Sequence, residues 1–181
     1  MIPLCWYNVT NRWPSGLNLA STKPRPPLCL ALVIDRSGSM SGQPLQEALR
    51  CAEYIAAGLK PSDQVGVVLY DNTVQVALPL VPGGDVQAVR TALAGVESGG
   101  TTALFDGWEA GARLLADASP GAARRVLLLS DGQANAGLTD LAEIEVHCAQ
   151  WAAKGVTTTT VGLGREFNEV LWKSIKGLEH D

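Results

Sequence analysis

The sequence predicts an α/β fold in which a mostly parallel sheet lies between two layers of helices. Two strongly apolar stretches, at 28–34 and 125–130, are typical of strands that are buried on both faces. Segments with helical spacing alternate with strands along the chain. The 181 residues suit one domain, and 46% hydrophobic with 18% charged residues is an ordinary globular composition.

Helix and strand signals follow one another in a regular order after residue 28. The first helix carries apolar side chains at helical spacing after Pro44, a residue that suits a first helical turn. Asp71-Asn72 is a good tight-turn pair between two apolar stretches, so we expect an antiparallel hairpin at one edge of the sheet. The predicted strands cover 28–34, 65–70, 73–78, 125–130 and 156–162, and the predicted helices cover 44–59, 84–95, 103–117, 139–154 and 167–176.

The N-terminal segment, residues 1–27, differs from the rest of the chain. It holds Trp6, Trp13 and five prolines without clear periodicity, and we expect it to be a lead-in or an arm. The regular domain is predicted over 28–176, and residues 177–181 are predicted to form a tail.

Charge and hydropathy exclude several classes of function. The net charge is −4 and no run of Lys or Arg supplies the basic face that a nucleic acid would need. No stretch approaches about 18 apolar residues, so no membrane span is predicted. The N-terminus has neither the basic nor the apolar region of a signal peptide. A cytoplasmic location is therefore favoured, with an extracellular one as the open alternative.

Oxygen-bearing side chains follow the two buried strands. Asp35 and Asp131 come at or just after the strand ends, and open α/β sheets place ligands at the carboxyl ends of their strands. Ser37 and Ser39 follow the first aspartate, and a glycine-rich loop adds Thr101. If the two strands are neighbours, three loops bring these five side chains to one rim.

This set of side chains favours a hard divalent cation. It offers two carboxylates and three hydroxyls, with no imidazole or thiolate, which suits Mg²⁺, Mn²⁺ or Ca²⁺ rather than zinc or copper. If the hydroxyls bind the ion directly and the carboxylates do not, the direct ligands are mostly neutral and the ion keeps its attraction for an incoming anion. A Glu or Asp from another protein could then fill an open position on the ion.

Three short motifs resemble the metal-ion-dependent adhesion site of von Willebrand factor A domains, in their bacterial branch. They are the D-x-S-x-S pattern at 35–39, Gly99-Gly100-Thr101 and Ser130-Asp131-Gly132. The resemblance covers about 28–175 and implies a Rossmann-like fold with one antiparallel edge strand. It further implies Mg²⁺ as cofactor, with Mn²⁺ or Ca²⁺ as alternatives, and a protein partner that supplies an acidic ligand. The implied metal site has direct hydroxyl ligands at Ser37, Ser39 and Thr101, and supporting, mainly water-mediated carboxylates at Asp35 and Asp131.

Members of that family usually continue past a helix like that at 167–176 into a final strand and a final helix. Residues 177–181 leave no room for both. We therefore expect either that the domain is cut short here or that another segment, such as 1–27, completes the sheet. The last-helix affinity switch of integrin-like relatives is not carried over.

Simpler roles compete with metal binding at each position. Strand-end aspartates also stabilise turns, and serines or threonines also cap helices. Ser41 is the better cap candidate for the first helix, and Thr102 competes with Thr101 as the ligand.

Two enzyme patterns are absent from the sequence. No lysine follows a glycine-rich turn in the manner of a phosphate-binding loop, and G-x-S-x-G does not occur. The remaining enzymatic alternative is a metal-assisted phosphoester hydrolase that uses the same site. The sequence thus favours a binding module without enzyme activity.

Overall fold

Five strands form one sheet in the computed structural model, which describes residues 25–131 and 136–163. The predicted final helix and most of the N-terminal segment lie outside these residues. The strands are β1 (Leu28–Asp35), β2 (Gln64–Tyr70), β3 (Val74–Pro82), β4 (Ala123–Ser130) and β5 (Val156–Gly162), and the helices are α1 (Gln43–Ala57), α2 (Val86–Leu93), α3 (Leu104–Leu114) and α4 (Leu141–Ala153).

The strand order is β3-β2-β1-β4-β5. Strand β1 is parallel to β2 and β4, and β5 is parallel to β4, whereas β3 pairs with β2 in the antiparallel direction. The predicted fold class is therefore confirmed, including the single antiparallel edge strand. Strand β1 lies at the centre, which explains why its sequence is apolar throughout.

Helices cover both faces of the sheet, and successive residues of β1 alternate between them. Ala31 and Val33 belong to the core under α3 and α4, which includes Trp108. Leu32 and Ile34 belong to the opposite core, under α1 and α2. No helix in the described part of the chain is long and apolar enough to cross a membrane.

Helix α3 packs directly on the sheet because two glycines one turn apart face it. A methyl group at Gly107 would overlap the Tyr70 ring, and one at Gly111 would overlap the Val33 side chain. The helix axis can therefore approach β1 and β2 more closely than a larger side chain would allow.

Some element boundaries differ from those predicted. Strand β3 continues to Pro82 rather than ending at 78, since an edge strand with register shifts tolerates proline. Helix α3 gives way to a 3-10 turn at 115–117. The expectation that Ser41 caps α1 was wrong, because Gly42, with φ of 78°, occupies the N-cap.

Candidate metal-binding site

The rim of the sheet where β1 and β4 end holds both predicted aspartates. The chain order reverses between these adjacent parallel strands, and such a switch point is where open α/β sheets bind ligands. Asp35 is the last residue of β1 and Asp131 follows β4 directly. Both are buried, with exposed fractions of 0% and 7%.

The Asp35 carboxylate accepts three hydrogen bonds. Its Oδ1 accepts the backbone N–H of Ser37 at 2.8 Å. Its Oδ2 accepts the Ser130 hydroxyl at 2.6 Å and the Tyr70 hydroxyl at 3.2 Å. Burial raises the pKa of Asp35 and the nearby Asp131 charge raises it further, while the bonds from Ser130 and Ser37 oppose the shift.

The two serines of the D-x-S-x-S motif lie side by side. Their Oγ atoms are 3.2 Å apart, with Ser37 buried and Ser39 exposed to solvent. Ser37 stands at the N-cap of the 3-10 turn at 38–40, but its side chain makes no capping hydrogen bond there. The alternative role in helix capping is therefore not observed for either serine.

The glycine-rich loop at 98–102 is tied to the motif by its backbone. Gly38 donates to the Gly100 carbonyl at 3.1 Å, and Gly99 donates to the Arg36 carbonyl at 2.8 Å. Thr101 is exposed on this loop, whereas Thr102 is buried. Ala103 is the N-cap residue of helix α3, so neither threonine occupies that position.

The β2–β3 turn contacts both the loop after β1 and the segment that follows the glycine-rich loop. Its Asp71 forms a 3.0 Å ion pair with Arg36, and its backbone carbonyl accepts the Ala103 N–H at 2.8 Å. Gly100 has a φ of 73°, and a Cβ there would overlap the Asn72 side chain. Glycine at this position therefore lets the loop pass close to the turn.

The donor chemistry at this rim fits a hard divalent cation. The described residues contain no group of three or more His, Cys, Asp or Glu that could hold a metal. The candidate site relies instead on hydroxyls and two carboxylates, which suit Mg²⁺, Mn²⁺ or Ca²⁺. The structure places Ser37, Ser39 and Thr101, together with Asp35 and Asp131, on three adjoining loops at the carboxyl ends of β1 and β4.

Tyr70, which no sequence motif singles out, also reaches the site through its hydrogen bond to Asp35. Its ring is buried at the end of β2, in register with Asp35 on β1. The sequence does hold a hint of this role, because Tyr70 places a polar hydroxyl at the end of the largely apolar strand β2. It was not decisive without the strand pairing.

Comparison with known proteins identifies one family. The sequence profile of the von Willebrand factor type A domain matches residues 30–179. The uncharacterized protein sll0103 of Synechocystis is 26% identical over 155 residues, 83% of this chain and 36% of the relative. YfbK of Escherichia coli is 29% identical over 145 residues, 78% of this chain and 25% of the relative. The chain thus spans about a third or less of these curated relatives.

Solved structures share the fold. The von Willebrand factor type A protein of Catenulispora acidiphila superimposes with a TM-score of 0.69 at 24% identity, over 83% of this chain and 36% of that one. Proximal thread matrix protein 1 from the mussel byssus, solved with a zinc-occupied MIDAS motif, gives 0.69 at 20% identity, over 83% and 41%.

Proposed function

The chain belongs to the von Willebrand factor type A family, whose members commonly bind protein partners, and from that premise we propose that it is a metal-dependent protein-binding module. In this proposal a divalent cation captures an acidic residue of the partner. The ion is Mg²⁺, with Mn²⁺ or Ca²⁺ as alternatives. The proposed metal site comprises Asp35, Ser37, Ser39, Thr101 and Asp131.

The observation that carries this proposal is the buried Asp35 carboxylate with Asp131 close by. Neighbouring carboxylates in a buried rim repel each other, and the Asp131 charge is one of the influences that raise the pKa of Asp35. A divalent cation at the rim would offset both negative charges. The paired aspartates therefore favour a cation over an anion as the first ligand.

The spacing of the serine hydroxyls also supports a metal ion. Adjacent ligand oxygens around an octahedral Mg²⁺ lie about 3 Å apart, given metal–oxygen bonds of about 2.0–2.1 Å. The Ser37 and Ser39 Oγ atoms are 3.2 Å apart before any ion is considered. The pair would therefore need little rearrangement to bind one cation.

An acidic residue suits the open position on such an ion. Neutral hydroxyls donate less charge than carboxylates, so an ion held mainly by Ser37, Ser39 and Thr101 would keep much of its attraction for anions. The zinc reported in the mussel relative supports a divalent cation in this fold and makes metal identity a point to measure.

Titration calorimetry with Mg²⁺, Mn²⁺, Ca²⁺ and Zn²⁺ tests the metal site. We expect the unaltered protein to bind at least one of these ions and the Asp35→Ala variant to lose that binding. Asp117→Ala, at an exposed position in the 3-10 turn that follows α3, serves as the matched control. Absence of divalent-ion binding in the unaltered protein would sink the proposal.

Peptide selection tests the partner. A displayed library of random peptides is selected on the immobilised protein in Mg²⁺, and then again in the presence of a chelator. We expect peptides enriched in Asp or Glu that are released by the chelator and are not retained by Asp35→Ala. Enrichment of neutral or basic peptides would contradict capture of an acidic residue.

A hydrolase would need a general base beside the ion. Within the described residues the one histidine is His147, which stacks edge-on with Phe105 at 5.1 Å and lies 3.9 Å from Glu109. Phosphoesterase activity that disappears in Asp131→Ala would favour the hydrolase over the binding module.

A further inference from the structure

Arg36 lies inside the D-x-S-x-S motif and contacts three other parts of the rim. Its backbone N–H donates to the Tyr70 carbonyl at 2.8 Å, at the end of β2. Its own carbonyl accepts the Gly99 N–H of the glycine-rich loop at 2.8 Å. Its Nε lies 3.0 Å from Oδ2 of Asp71 in the β2–β3 turn. One residue therefore joins the motif to a strand, to the glycine-rich loop and to the turn.

The ion pair between Arg36 and Asp71 is largely shielded from water. The two side chains are 22% and 14% exposed. The Nε atom is buried, and its alignment with the carboxylate is that of an ion pair rather than of a hydrogen bond. Salt and water screen such a pair less than they screen a pair on the open surface. We therefore expect it to hold the two segments together more firmly than an exposed pair would.

Asp71 is itself fixed in place, so the ion pair has one rigid side. Its Oδ1 accepts the Thr73 N–H at 2.7 Å and the Thr73 hydroxyl at 2.8 Å, whereas Oδ2 faces Arg36. Its backbone carbonyl accepts the N–H of Ala103, which directly follows the glycine-rich loop. The β2–β3 turn thus holds the glycine-rich loop through the backbone and the D-x-S-x-S motif through the ion pair.

We propose that Arg36, through its ion pair with Asp71, is a positioning residue that fixes the spacing between the D-x-S-x-S motif and the glycine-rich loop, and so sets the affinity of the rim for a divalent cation. This inference rests on the proposed metal-dependent function. Of the proposed ligand hydroxyls, those of Ser37 and Ser39 lie on the motif and that of Thr101 lies on the loop. If the spacing were loose, binding would have to order the two segments, and that cost would lower the affinity.

The sign of the effect separates positioning from simple charge. Removing the positive charge of Arg36 would by itself favour a cation at the rim. Positioning predicts the opposite, and we expect Arg36→Met to bind the ion about tenfold more weakly, as for other residues that orient a metal ligand. Methionine keeps an unbranched apolar side chain without the charge. Titration calorimetry measures the change, with whichever of Mg²⁺, Mn²⁺, Ca²⁺ and Zn²⁺ the unaltered protein binds most tightly.

A double variant, Arg36→Met with Asp71→Asn, removes the ion pair without changing the net charge. The asparagine can still accept the hydrogen bonds from Thr73. We expect this variant to bind the ion about as weakly as Arg36→Met does, because the same pair is lost in both. In the metal-free protein, hydrogen exchange in the segment at 98–102 should be faster. The double variant also keeps the test available if Arg36→Met, with its unpaired aspartate, does not fold.

The ion pair between Arg90 and Glu53 provides a matched control. Its Nε and Oε2 atoms are also 3.0 Å apart, but it joins α2 to α1 rather than the loops of the rim. Arg90→Met with Glu53→Gln should leave both the metal affinity and the exchange at 98–102 unchanged. Denaturant unfolding in a chelating buffer measures the stability that each double variant loses, apart from its metal affinity.

Unchanged or tighter metal binding by the folded Arg36 variants would overturn the inference. An equal loss of affinity in the control double variant would also overturn it, because that loss would reflect general destabilisation. Failure of the unaltered protein to bind any divalent ion would instead refute the proposed function. Hydrogen exchange of the metal-free protein would then still decide whether the ion pair anchors the glycine-rich loop, so the two failures are distinguishable.

Discussion

Two buried aspartates, Asp35 and Asp63, have opposite surroundings. Asp63 accepts two hydrogen bonds from the Arg25 guanidinium at 2.8 and 2.6 Å, and one each from the backbone N–H groups of Leu28 and Lys60. The Arg25 hydrogen bond is the main reason that the pKa of Asp63 lies well below its usual range. Among the described residues, Asp35 accepts hydrogen bonds from neutral donors and has Asp131 as a charged neighbour.

We expect Asp63→Asn to lower the free energy of unfolding by about 2 kcal/mol at pH 7, because hydrogen bonds to a charged group are lost. The pKa of folded Asp63 is below the unfolded value of about 3.9. Its contribution is therefore complete above that value and is lost as the pH falls toward the folded pKa. Denaturant unfolding at pH 7, 4 and 2.5 measures the difference between the two proteins.

Asp117→Asn, at an exposed aspartate, is the control and should show little difference at any pH. A stability gap for Asp63→Asn that is the same at all three pH values would contradict the ionic explanation.

Ser39 and Ser41 provide a matched pair for the proposed ligands. Both are exposed, but only Ser39 has its hydroxyl beside that of Ser37. We expect Ser39→Ala to weaken Mg²⁺ binding at least about tenfold, the lower end of the loss seen for residues that merely support ligands. Ser41→Ala should leave the affinity unchanged, as measured by calorimetry. Equal affinity in both variants would remove Ser39 from the ligand set.

At the scale of elements, helix α3 links the hydrophobic core to the rim. Its buried face contacts Tyr70 through Gly107 and Val33 through Gly111. Its N-terminal end follows the loop that carries Thr101. A change in the packing of α3 would therefore move both the Thr101 loop and Tyr70, and so alter the candidate site.

Gly107→Ala should destabilise the protein by about 1–3 kcal/mol, since the added methyl group overpacks against the Tyr70 ring. Helix propensity alone predicts the opposite sign, a gain of about 1 kcal/mol. Denaturant unfolding in a chelating buffer measures the effect without a contribution from metal binding.

The control for this prediction is Gly58→Ala. Gly58 follows α1 with a φ of −86°, and a Cβ added there would meet only ordinary contacts, the nearest at 3.5 Å. We expect a change within about 1 kcal/mol there. Stabilisation by Gly107→Ala would show that the ring contact does not limit the packing of α3.

At the scale of the whole molecule, the candidate site joins segments that are distant in the chain. Residues 35–39, Thr101 and Asp131 lie on separate loops, and backbone bonds from Gly38 and Gly99 connect the first two. An ion bound to all three would act as a cross-link in the folded state. Its stabilising effect would follow mass action, about 2.7 kcal/mol at a free concentration 100-fold above the dissociation constant.

We expect Mg²⁺ to raise the melting temperature and to slow hydrogen exchange in the segments at 35–40, 98–102 and 128–131 together. Hydrogen exchange in the edge strand β3 should be unaffected. In Asp35→Ala, Mg²⁺ should no longer slow exchange in any of the three segments. Hydrogen exchange followed by mass spectrometry measures each segment. Slower exchange confined to one loop would contradict a site shared by three.

Local patterns predicted the order of the elements well. Strand β5 was predicted with its observed bounds, and both ends of β1, α1 and α4 lie within two residues of the prediction. These signals are local, since an apolar run or a helical period is visible within one segment. The helix cap was missed because a glycine with positive φ replaced the expected serine side chain.

The sequence by itself determined the α/β class, the antiparallel hairpin and the oxygen-bearing side chains that follow each buried strand, because each of these signals lies within one short segment. Only the tertiary structure decided that the hydroxyls of Tyr70 and Ser130 meet on one oxygen of Asp35. Those contacts join residues 35 and 95 positions apart. They depend on the registers between β1, β2 and β4 and on the close approach of α3, which no single segment encodes.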